Sequence, residues 1–163
     1  MKISVLCDFQ YDDELPVSPQ KTEDLAAKFL SFVLENSFTT AFSLNNDYTF
    51  DILLCDNNFI HNINRDYRKI DSPTDVITFA LYNDSEEKII LDNQINLGQI
   101  IISIDKTKSQ AVENSVSVEY EFLNLLAHGI LHLLGFDHPD DEQLNKMLEL
   151  QNKMIESVNY VEI

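Results

Sequence analysis

Residues 122–138 read Phe-Leu-Asn-Leu-Leu-Ala-His-Gly-Ile-Leu-His-Leu-Leu-Gly-Phe-Asp-His, and the last eleven of them hold three of the chain's four histidines: His128, His132 and His138. Apolar residues recur at helical spacing through Phe122, Leu125, Leu126, Gly129, Ile130, Leu133 and Leu134. That pattern predicts a buried or half-buried helix over about 118–134. His128 and His132 are then i and i+4, so they share one face with Cβ atoms about 6 Å apart. Gly135 can end the helix in the left-handed conformation, after which His138 can return toward the same point. Three neutral imidazoles with a fourth position left to water is the layout of a catalytic zinc site, whereas a closed structural site usually adds a nearby cysteine. None is present at short spacing. A lone histidine on an apolar face reads as a hydrogen-bonded core residue; two at i,i+4, with a third beyond a glycine stop, read as metal ligands. Zinc is the default ion, and nickel, copper and iron also suit nitrogen donors.

A chain of 163 residues is sized for one domain spanning 1–163, with 44% hydrophobic and 24% charged residues in the ordinary soluble range. Three glycines and four prolines argue against linkers or low-complexity segments. No apolar run approaches the ~20 residues of a transmembrane helix. The apolar core of the first eight residues is too short for a secretory signal. A cytoplasmic protein with no membrane partner is expected. Cys7 and Cys55 sit in strand-like segments without C-x-x-C spacing, and are expected as buried, reduced thiols. The formal net charge of −17, from 28 acids and 11 bases, argues against a broad grip on nucleic acid. It leaves room for a local cleft in which a metal and a few bases act together.

Along the chain, strands are expected over 3–9, 48–55 (Phe50, Ile52 and Leu54 on one side), 76–81 and 99–104. An acidic turn is expected over 11–19. Thr22 is read as the N-cap of a helix carrying Leu25, Phe29, Phe32 and Val33 and ending near Asn36. Asp56 or Asn57 can cap a second, with Phe59, Ile60, Ile63 and Tyr67. Residues 83–93 read as a loop or hairpin edge, and 105–114 as a helix. After Pro139 a last amphipathic helix carries Leu144, Met147, Leu148, Leu150 and Met154. Strands and helices are interspersed without a strict βαβ rhythm, which predicts an α+β fold: a mixed sheet of about four strands with about five or six helices.

A second constellation lies upstream. The only two arginines, Arg65 and Arg68, stand with Lys69, either as the solvated cationic end of a helix or as a phosphate-binding group. His61, between Ile60 and Asn62, reads as a surface residue. Asp137 can orient a ligand imidazole or cap the turn between Gly135 and His138. Gly129 costs about 1 kcal/mol in a helix relative to alanine, so a close approach of a strand or substrate backbone is expected there.

The pattern H-G-x-x-H-x-x-G-x-D-H, filled by His128, Gly129, His132, Gly135, Asp137 and His138, resembles the signature of the YbeY family of bacterial metal-dependent endoribonucleases. Residues 64–79 resemble that family's second motif through Asn64, Tyr67, Arg68, Asp71, Pro73, Thr74, Asp75, Val76, Ile77, Thr78 and Phe79. Residues 97–103 resemble a third, with Gln99 where the family commonly has aspartate, which leaves any carboxylate role there in doubt. The resemblance spans 64–138, and the N-terminal third carries little of it. It implies a mixed four-stranded sheet, a role in ribosomal RNA maturation and ribosome quality control, and unpaired RNA as substrate. It also places the family's important arginine on Arg68.

The chemistry expected is metal-assisted cleavage of an RNA phosphodiester. His128, His132 and His138 hold the ion, His128 also counts with Arg68 as catalytic, and the Arg68 guanidinium clamps the phosphate. The nucleophile is either water or the RNA 2′-hydroxyl. A metallopeptidase is the rival enzyme, but its H-E-x-x-H glutamate is replaced by Gly129. A non-catalytic, metal-stabilised ribosome-associated factor is the other alternative, and the acidic surface would suit basic ribosomal proteins as partners.

Overall fold

The computed structural model describes residues 1–36, 38, 39 and 41–160. Its elements run β1 (Ile3–Gln10), α1 (Pro19–Glu35), β2 (Asp47–Cys55), α2 (Asn57–Arg68), β3 (Val76–Phe79), α3 (Leu81–Asp84), β4 (Gln94–Ser103), α4 (Ile104–Asn114), α5 (Val118–Leu133) and α6 (Asp141–Ser157). The four strands form one sheet in the order β1-β2-β4-β3. β1, β2 and β4 are parallel, and β3 pairs antiparallel with β4. This is the expected α+β fold with a mixed four-stranded sheet.

The alternation of β2 divides the core between two faces. Phe50, Ile52 and Leu54 join the large cluster that includes Phe29 of α1, Phe122 and Ile130 of α5, and Met154 of α6. Cys55 points to the other face, where Ile60 of α2 packs with Ile77 and Ile101. Both cysteines are free and buried, and burial pushes their thiols up to about 12.

Several boundaries differ from expectation. α1 begins at Pro19 because Ser18 supplies the cap, accepting from Lys21 N–H at 3.2 Å, with proline in the first turn. Thr22, expected as the cap, is buried inside the helix and donates its hydroxyl to Ser18 O at 2.8 Å. β3 stops at Phe79, so Leu81, Asn83 and Asp84 belong to a short helix and only the stretch beyond is irregular, apart from a bridge between Leu91 and Gln94. β4 starts five residues before Gln99, and Ile104 already belongs to α4. Within α6, Leu148 is exposed, as is Tyr67 of α2.

The hidden start of β4 is a bulge. Thr49 pairs with Asn96 but Phe50 pairs with Gly98, so one extra residue intervenes on β4. It lets Ile95 and Leu97 share a buried face with Ile100 and Ile102 although the alternation changes phase between them. Gly98 takes φ +125° there, with Phe79 O only 1.9 Å from where a Cβ would sit.

Candidate metal centre

Helix α5 carries the first two histidines. Ser117 caps it by accepting from Tyr120 N–H at 3.1 Å. Its far end closes as a Schellman turn: Phe136 N–H bonds Leu131 O and Gly135 N–H bonds His132 O, both at 3.0 Å, with Gly135 at φ +90°. That turn reverses the chain and brings His138 back. Midway, Gly129 faces β4, where a Cβ would lie 2.8 Å from Cγ2 of Ile100. The close approach expected at Gly129 is therefore that of a strand side chain, and it seats the ligand helix directly on the sheet.

One nitrogen from each of His128, His132 and His138 lies within 4.8 Å of the other two. The ring centroids are 4.5, 5.4 and 5.3 Å apart. His128 donates from Nδ1 to Oε1 of Gln151 at 2.7 Å, and its Nε2 points at Nε2 of His132, 2.9 Å away. Burial, reinforced by the imidazoles of His128 and His138, pushes His132 down to about 4, so its ring is neutral at pH 7. Three imidazole nitrogens converging on one point fit a single borderline divalent ion. Gln151 is the residue that sequence reasoning missed. It lies on α6, 4% exposed, and orients a ligand ring as outer partners of metal-binding histidines do. Asp137 is engaged elsewhere: its Oδ1 accepts from His138 N–H at 2.8 Å, within the turn.

The three histidines open into a cleft of about 660 Å³ that also exposes Arg68, Thr74 and Asp137. The three upstream bases separate here. Arg65 pairs with Asp66 at 3.1 Å, and Lys69 folds back to Asp66 O at the left-handed end of α2. Arg68 faces the cleft, and among the described residues no carboxylate lies within ion-pair distance of it. The loop between α2 and β3 is tied down by Asn64, which donates to Ser72 O at 2.8 Å, and by His61, which meets Asp71 at 2.7 Å. His61 is thus half-exposed and paired rather than simply solvated. Gln99 lies on the same side of β4 as Ile101, away from α5, and does not line the cleft.

Fold and donor set together define a class: an α+β protein that presents three imidazoles, able to hold one metal ion, at the mouth of a cleft. Residues 9–159 match the family model described as Endoribonuclease YbeY. The Endoribonuclease YbeY of Oceanobacillus iheyensis is 34% identical over 148 residues, covering 89% of this chain and 93% of the relative. That of Clostridioides difficile is 33% identical over 147 residues, covering 90% and 92%. That of Fusobacterium nucleatum reaches 44% over 109 residues, covering 67% and 66%. Among solved structures, TM1509 from Thermotoga maritima superposes with a TM-score of 0.56 at 25% identity, covering 96% of this chain and 88% of that one. The chain belongs to the YbeY endoribonuclease family.

Proposed function

We propose that this chain is a metal-dependent endoribonuclease that cuts unpaired RNA, and that it acts as one domain in the cytoplasm on ribosomal RNA during its maturation. The observation that carries the reading is the arrangement of the cleft. Arg68, which has no carboxylate partner among the described residues, shares it with three converging imidazoles.

His128, His132 and His138 would hold the ion, zinc by default, which would supply Lewis acidity and a nucleophile near neutral pH. The protein's own groups do the rest. Gln151 holds the His128 tautomer, so the ring offers a lone pair and not a proton at the ion's position. Arg68 receives the scissile phosphate through a planar pair of N–H donors, a geometry that matches two non-bridging oxygens. Negative charge growing on those oxygens as the bond breaks is met by a donor already in place. The turn through Asp137 fixes the backbone that carries His138. A peptidase reading lacks its general base, because position 129 faces Ile100 and has no room for a side chain.

The test is cleavage of an end-labelled single-stranded RNA by the zinc-loaded chain, beside Arg68→Ala and His132→Ala. Arg68→Ala is expected to lower kcat about 10²-fold, the loss typical of removing one transition-state donor, and His132→Ala to abolish cutting. Equal cutting by all three proteins would place the activity elsewhere. If none cuts although the native chain binds one ion, the ribosome-associated binding factor becomes the better reading, with basic ribosomal proteins as its partners.

A further inference from the structure

A second hollow, of about 530 Å³, adjoins the metal-site cleft and shares Gly135, Phe136 and Asp137 with it. Phe38 stands on one wall, and Met147, Leu150 and Lys153 of α6 form another. Phe38 is 37% exposed. Phe32 backs it at 5.6 Å between centroids, so the ring is braced on one side. The Lys153 ammonium lies over the Phe38 ring, 5.6 Å from its centroid, so a base that stacks there takes its place and frees it for a phosphate.

We infer that this hollow is a subsite for one unpaired nucleotide next to the scissile phosphate, with its base stacked on Phe38 and its phosphate turned toward Lys153. The inference rests on the endoribonuclease reading above. A strand whose phosphate lies against Arg68 and the histidines must leave the cleft over its rim, and the rim at Gly135–Phe136–Asp137 leads into this hollow. An aromatic face with a cation beside it is the usual platform for a base in single-stranded nucleic acid. The charge suits a single nucleotide and not a long polyanion. Lys146 is 3.4 Å from Glu142, and Glu149 also faces the hollow, so among the described residues Lys153 is the cation left to meet one phosphate. A base inside a duplex has both faces covered by its neighbours and cannot stack here, which gives preference for unpaired RNA a physical origin in this chain.

The experiment measures kcat/KM of the zinc-loaded protein on a single-stranded oligoribonucleotide and on copies carrying one abasic nucleotide at successive positions around the cut. For the native chain, one position adjoining the cut is expected to lose about 5- to 150-fold, the range for one base–aromatic stack. Phe38→Ala should lose the same factor on the intact RNA and become indifferent to that abasic position. Phe38→Tyr should restore both the rate and the sensitivity, which separates stacking from damage to the fold. Lys153→Gln should lose a few-fold, whereas Lys108→Gln, a charge removed from α4, should keep native rates. If Phe38→Ala cuts intact RNA as the native chain does, or its abasic profile matches the native one, the subsite is refuted and the hollow falls to an apolar side chain of a partner protein. A native chain that cuts no oligonucleotide at all overturns the nuclease reading itself, and the subsite with it.

Discussion

An alanine at position 129 would set its Cβ 2.8 Å from Cγ2 of Ile100, and that methyl sits on a β-branched carbon whose rotamer is nearly fixed by the strand. The gain in helix propensity is about 1 kcal/mol, against about 1–3 kcal/mol for overpacking a core contact. The second term wins, so Gly129→Ala should be destabilised by about 1 kcal/mol, read as a lower urea midpoint at unchanged slope. A midpoint that rises would show that α5 can lift off β4 freely. Gln151→Leu keeps similar volume but removes the acceptor of His128 Nδ1–H. Metal affinity, measured by competition with a chelator, should fall about 10- to 100-fold, and an unchanged affinity would exclude Gln151 as the residue that orients the ring. These residues differ in how far sequence reveals them. The histidines declare themselves by i,i+4 spacing and a glycine stop. Gln151 is 23 residues from its partner, and its one signal is a polar side chain on the buried stripe of α6 with Met147, Leu150, Met154 and Ile155.

Among the elements, β4 was the least legible, for a physical reason. Alternation identifies a strand only while its phase holds, and the bulge at Leu97–Gly98 reverses that phase, so Ile95 and Leu97 do not read as continuous with Ile100 and Ile102. β2 has no such break and could be read through its whole length. The two helix starts show a similar contrast. Of the two residues expected to cap α2, Asp56 and Asn57, Asp56 does so by accepting from Phe59 N–H at 2.8 Å. At α1 the expected cap, Thr22, is instead buried inside the helix, and Ser18 before Pro19 supplies the cap. The bulge itself can be tested. Gly98→Ala imposes a side chain on φ +125° and drives its Cβ to within 1.9 Å of Phe79 O, a backbone atom that cannot swing aside. Strain and overpacking of about 1–3 kcal/mol each should together cost about 3 kcal/mol in chemical denaturation. A loss under about 0.5 kcal/mol would mean that β3 and β4 re-register without penalty.

At the scale of the whole molecule, a net charge of −17 must be reconciled with a polyanionic substrate. The reconciliation is locality: Arg68 in the cleft and Lys146 and Lys153 beside it are the cations that line the two hollows. Each phosphate neutralised on a single strand contributes about −0.7 to the slope of log affinity against log salt. With Lys146 paired to Glu142, the two contacts at Arg68 and Lys153 predict a slope of about −1.4 for kcat/KM between about 50 and 200 mM salt. A slope steeper than about −4 would require phosphates gripped well beyond these hollows, against the charge of the chain. Chelation tests the same locality for the ion. α5 is held by Phe122, Leu126 and Ile130 in the main core and by its own Schellman turn, none of which needs a metal. Stripping the ion should therefore abolish cleavage while far-ultraviolet circular dichroism stays native. Melting should fall only by the binding energy lost through mass action. Unfolding on chelation would instead make the ion a structural element, and the case for a binding factor would then outweigh the case for catalysis at this site.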